Sequence, residues 1–237
     1  MNFHHKVTEL LSLIYSFEES FRSVPDQASR QLAAAGLMRC CALLKGVHTL
    51  EDNKLGVISG ILERAHWETW LVSIHVLFRG EEALLEIAGD DIHWKRTLSR
   101  ELDLGYTYHE DWEGKLSKLN YKTLADGVKP LLIAAGESDD PDGRKGYNFT
   151  FRVQSLFAVH AGLSTFSSFL QYGKELWGVV AHPPSPFPIP APIPALHTAH
   201  LARYVFQAFG LPSADVERVG DELLAGAAEL AKQRIGI

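Results

Sequence analysis

Cysteine is nearly absent from this 237-residue chain: Cys40 and Cys41 are the two it has, and they are adjacent. Neighbours on one helical turn do not meet disulfide geometry, so no covalent framework is expected. They read as small, reduced core residues, with a metal or redox pair as the sharper alternative. Long apolar runs are missing too. No stretch of about 18 uninterrupted apolar residues occurs, so no membrane-spanning helix is expected. The first residues, MNFHHKVTELLSLIYSFEES, carry acids inside their apolar stretch and no small-residue cleavage site. They read as an amphipathic helix rather than a signal peptide, and a cytoplasmic protein is expected. Positive charge is not in excess. The formal charge is −6 and the pI near 6.0, which argues against a broad nucleic-acid surface and leaves room for a local basic patch. There is no phosphate-binding glycine loop, no GxSxG and no HExxH. The string DDPDG lacks the spacing and distal Glu of an EF-hand loop. Asp90-x-x-His93 and His197-x-x-His200 have metal-ligating spacing on a helix. Neither has the matching Glu/His set on other helices that a di-iron bundle needs. No metal and no cofactor is expected.

Strand-like alternation is nearly absent as well, and apolar residues recur at helical spacing almost everywhere. Hydrophobic residues make up 46% of the chain, enough for a sizeable core. The expected fold is all-α: an antiparallel helical bundle with a proline-rich extended strap and two C-terminal helices. Helices are expected over residues 3–21, 27–49, 55–78, from about 79 with a break near Gly89, 121–135, 147–177, 195–209 and 213–233. Pro130 is expected to limit or kink the fifth. Three parts follow: a bundle core over 1–181, a strap over 182–194, and a helical hairpin over 195–237 packed on the core. Alternating prolines from Pro183 to Pro194 favour polyproline II. The strap lays Phe187, Ile189 and Ile193 on the bundle, or else docks into an aromatic groove of a partner.

The stretch ERAHWETWLVSIH, residues 63–75, is too polar for its apolar flanks. At about 100° per residue, Arg64, Glu68, Leu71 and His75 fall within roughly 60° of one another. They form a stripe, while His66 and Glu63 lie off it and are expected to be exposed. Arg64 before Glu68 is the weaker helical ion-pair order, so helix stability does not account for the pair. A second polar set, Arg152, Gln154, Ser155, His160 and Ser164, lies on the expected helix over 147–177. Each set reads either as a structural network that fixes helix register or as one side of a polar inter-helix pocket.

ERAHWETW on one long helix followed by YNFTFRVQSLFAVHAG on a later one resembles a large, uncharacterised bacterial all-helical family, a domain of unknown function. Its members carry an Arg-x-x-x-Glu helix, then a loop, then a Tyr…Ser…His helix. The matching positions are Arg64 and Glu68, then Tyr147, Ser155 and His160, across roughly residues 25–175. The family has three residues between its Ser and His, whereas Ser155 and His160 have four between them. The family is distantly similar to HEPN-type proteins, whose signature is Arg, four to six residues, then His; Arg152 and His160 have seven between them. The resemblance implies a pocket with Arg64, Glu68, His75, Ser155 and Tyr147 as ligand-binding residues and His160 and Arg152 as catalytic candidates. Its ligand would be nucleotide-like or a small anion, in a defence or toxin–antitoxin setting. In a HEPN-like ribonuclease, His160 would be the general acid–base and the arginine would hold the phosphate. The alternative is a non-enzymatic interaction module in which the same residues are structural. The apolar content suits a homodimer. The partners implied are therefore a second copy, a small anionic ligand or RNA, and no membrane.

Overall fold

A computed structural model of the chain describes residues 3–22, 28–53, 55–102, 116, 118–137, 170–172, 177–179 and 192–235. The fold is an all-α helical bundle. Its helices are α1 (Phe3–Ser16), α2 (Ala28–Asp52), α3 (Gly56–Arg79), α4 (Glu81–Glu101), α5 (Tyr121–Ala134), α6 (Pro192–Ala208) and α7 (Ala214–Ile235), with a 3-10 turn at Glu18–Arg22 after α1. No described helix is long and apolar enough to cross a membrane.

The helix boundaries follow local chemistry. Asn120 caps α5, its side chain accepting from the backbone N–H of Lys122 and Thr123. Pro130 sits inside α5 without ending it. Gly80, at φ 61°, separates α3 from α4 by a conformation that side-chain-bearing residues rarely adopt. The expected break at Gly89 is absent: Gly89 is buried within a continuous α4.

Two expectations are corrected. The C-terminal end of the expected helix over 147–177 is not helical. Leu170–Tyr172 (β1) and Trp177–Val179 (β2) pair antiparallel, with Leu170 opposite Val179. Tyr172, Trp177 and Val179 favour extended backbone. The rest of that helix lies outside the described residues. The strap was expected to reach residue 194, but Pro192 and Pro194 open α6. The first turn of a helix tolerates proline because its N–H groups have no intrahelical partner there. Residues 182–191 lie outside the described residues.

One apolar core joins helices from both ends of the chain. Leu10 and Ile14 of α1, Leu37 and Leu44 of α2, Trp67, Trp70 and Ile74 of α3, Leu132 of α5, Leu201 and Phe206 of α6, and Leu223 of α7 are all sealed within it. α2 and α3 pack closest. A Cβ on Gly36 would collide with Ser73 Oγ, so glycine is what lets the two backbones approach. Phe17 and Phe21 meet Phe206 edge-on, at centroid distances of 5.0 and 5.8 Å. Partly buried ion pairs join α1 to α7: Arg218 lies 2.9 Å from Glu9, and Lys6 pairs with Glu222. Cys40 and Cys41 are free and buried. Burial pushes the Cys41 thiol up to about 12, which keeps it protonated and unreactive at neutral pH.

Candidate functional site

α3 is surrounded by α2, α4, α5 and α6. Each polar residue that α3 buries against one of these neighbours must meet a hydrogen-bond partner. The polarity of ERAHWETWLVSIH is distributed accordingly, in three directions.

Toward α6 stand His66 and Trp70, both sealed from solvent. The expectation that His66 and Glu63 are exposed is therefore overturned: Glu63 is buried as well and accepts from Ser59 Oγ at 3.0 Å. The side of α3 that carries His66 is occupied by α6. His66 Nε2 lies 2.8 Å from Thr198 Oγ1, and the Thr198 hydroxyl donates to the Pro194 carbonyl at 2.8 Å. The His197 ring stacks on Trp70 at 4.5 Å between centroids, with 18° between planes, and also faces His66 at 6.3 Å. The Trp70 indole N–H donates to His200 Nδ1 at 3.3 Å, which fixes the other ring proton on Nε2, where it meets Glu137 Oε1 at 3.2 Å. The same carboxylate oxygen accepts from Tyr204 at 2.8 Å and from Arg203.

Electrostatics follow from this packing. The His200 hydrogen bond, then that of Tyr204, with the Arg203 charge behind them, hold the Glu137 carboxyl down to about 2. Burial, reinforced by the Glu137 hydrogen bond, pushes the Tyr204 phenol up to about 12. Burial, with His197 adding to it, holds His66 well below the usual imidazole range, so the ring is neutral. Among the described residues, His66 Nδ1 and Arg203 Nε meet no hydrogen-bond partner. Beside this network, between α6 and α7, is a cavity of about 310 Å³ bordered by Trp70, His197, His200, Arg203 and Glu137.

Toward α5 and α2 stand Arg64 and Glu68, paired at 3.0 Å and only half-buried. Glu68 borders a second cavity, of about 380 Å³, with Arg39, Thr69, Ser73 and Tyr121. Burial first, then the charges of Glu68 and Asp90, push the Tyr121 phenol up to about 12, so it stays a proton donor. Thr69 and Ser73 give their hydroxyl protons to the carbonyls of Ala65 and Thr69 one turn back, which leaves each hydroxyl oxygen as an acceptor.

Toward α4 stands His75, buried, with Nε2 2.9 Å from Glu86 Oε2. The stripe predicted from the sequence thus exists, but it is shared: Arg64 and Glu68 meet at the α5 end, and His75 serves a different neighbour. Tyr147, Arg152, Ser155 and His160 lie outside the described residues. Sequence reasoning passed over Thr198, Glu137 and Tyr204. The signal available for them was the spacing of His197, His200, Arg203 and Tyr204, which puts four polar or aromatic groups along one face of α6. Among the described residues, no group of three or more His, Cys, Asp or Glu is arranged to hold a metal ion. His197 and His200 are turned to Trp70 and Glu137 instead.

The fold and these sets define a helical bundle with polar networks and cavities between its helices. Compared with protein-family models, curated proteins and solved structures, the chain matches none.

Proposed function

We propose that the chain is a ligand-binding helical protein whose pocket, between α2, α3 and α5, takes a small anionic ligand such as a phosphate ester. The observation that carries this reading is Arg39. It borders the 380 Å³ cavity and, among the described residues, no carboxylate pairs with it. An arginine beside a cavity offers a planar fork of donors suited to phosphate or carboxylate. The Tyr121 phenol adds a donor at the same wall. Arg64 occupies Glu68, which limits the repulsion an anion would meet from that carboxylate. The α3–α6 set supports a different role. Both ring nitrogens of His200 are engaged, which suits a lock holding two helices in register better than an acid–base catalyst.

Titration calorimetry with inorganic phosphate and with a nucleoside monophosphate tests the pocket. Saturable binding is expected for at least one. It weakens by roughly ten- to a hundredfold in Arg39→Ala, the loss of one charge-assisted contact of about 1.5–3 kcal/mol. Binding that is undiminished in Arg39→Ala, or absent for both probes, overturns the proposal.

A further inference from the structure

The cavity of about 310 Å³ between α6 and α7 shares no residue with the one proposed to take an anion. Its two sides differ. Trp70 and His197, stacked on each other and buried, form one side. Ile193, Leu196 and Val216 extend the apolar wall. On the other side stand Glu217, Asp221 and Leu224 of α7, all exposed. They fall within roughly 60° of one another around that helix. Leu224 is a large apolar residue at the edge of an apolar cavity, and it is 58% exposed.

The charges on the wall are unbalanced. Arg203 pairs with Glu137, so those two offset each other. Glu217 accepts from Ser213 Oγ at 2.9 Å, a contact that leaves its charge in place. Among the described residues no cation pairs with Asp221. Glu217 and Asp221 are one helical turn apart, where like charges repel. A cation placed between them relieves that repulsion.

We propose that this cavity binds an organic ammonium ion with a flat apolar body, an arylalkylamine. Its ring enters between α6 and α7 toward Trp70 and His197, and its ammonium stays at the rim with Glu217 and Asp221. The ring removes apolar wall from water. The ammonium meets its acids where they are exposed, so no charge is buried to make the contact. A cavity on the order of 300 Å³ with apolar walls and a few polar groups is of the kind that takes a small molecule. The sign of the rim sets the class: an anion is repelled, and a polyamine without an apolar body leaves the wall uncovered.

Titration calorimetry on the full chain, with tryptamine as the probe, tests this. Saturable binding with a Kd of about 1 mM or below is expected. Indole-3-propionate carries the same ring and the opposite charge, and spermidine carries charge and no ring. Each should bind at least about tenfold more weakly than tryptamine. Asp221→Lys should weaken tryptamine binding at least about tenfold, and Leu224→Ala about threefold. Both positions are exposed, and circular dichroism checks that α7 stays helical. No saturable binding of tryptamine up to about 10 mM overturns the proposal. So does equal affinity for the amine and the acid, which marks a cavity blind to charge. Spermidine bound as tightly as tryptamine marks an acidic surface only and overturns it as well, as does binding unchanged in either variant.

Discussion

His66 donates to Thr198 across the α3–α6 interface. The Thr198 hydroxyl has one proton and gives it to the Pro194 carbonyl, so at 2.8 Å the imidazole Nε2 must carry the hydrogen between them. The tautomer is thereby set, and Nδ1 is left as a bare acceptor inside the protein. A threonine in the first turns of α6 thus ties the end of the chain to a histidine in the middle of α3.

Removing that hydroxyl should be costly. Thr198→Val keeps the shape but leaves a buried N–H without an acceptor, a loss of about 1–3 kcal/mol in urea unfolding. Thr198→Ser keeps the hydroxyl and loses one buried methyl, about 1 kcal/mol. Equal stability of the Val and Ser variants would show that the His66 contact contributes nothing.

The network should give stability two separate dependences on pH. His66 is held below its ordinary value, so on acidification the unfolded chain takes up a proton near pH 6.5 while the folded chain does not. Its contribution is intact above about 6.5 and declines below it. Glu137 is likewise lowered, from 4.5 to about 2, so its stabilisation is intact above about pH 4.5 and is lost as the pH falls toward 2. His66→Gln should flatten the stability profile between pH 6.5 and 5, and Glu137→Gln should flatten it below 4.5. At pH 7 the loss in Glu137→Gln is on the order of 2 kcal/mol, since three donors converge on one half-buried carboxylate oxygen. Urea unfolding at a series of pH values separates the two windows.

The α2–α3 contact predicts opposite signs for the same substitution at two glycines. Gly36→Ala should destabilise by about 1–3 kcal/mol, because the new methyl displaces Ser73 Oγ from the Thr69 carbonyl. Gly127→Ala, in α5 with open space around it, should stabilise by up to about 1 kcal/mol. Thermal unfolding of the two variants is the comparison. Adding Ser73→Ala to Gly36→Ala should recover part of the loss.

Much of the fold was legible because helical periodicity is a local property. α1, α2, α3 and α5 lie close to where apolar spacing and the polar turns placed them. Legibility failed where local signals compete. Prolines at 192 and 194 were read as forbidding helix, although a first turn admits them. The residues at 170–179 continued a helical pattern across Gly173, yet the described ones pair as strands.

The site was legible in part. The sequence alone determined that Arg64, Glu68 and His75 share one side of α3, since 100° per residue requires it. Only the tertiary structure decided what lies against that side, and against the opposite one. α5 and α2 bring Tyr121 and Arg39 to Glu68, α4 brings Glu86 to His75, and α6 encloses His66, which a reading of α3 alone would leave in solvent. Periodicity fixes which side chains point together. Which neighbour covers them depends on contacts between segments more than 100 residues apart, such as His66 with Thr198, and those are set by how the whole apolar surface is buried.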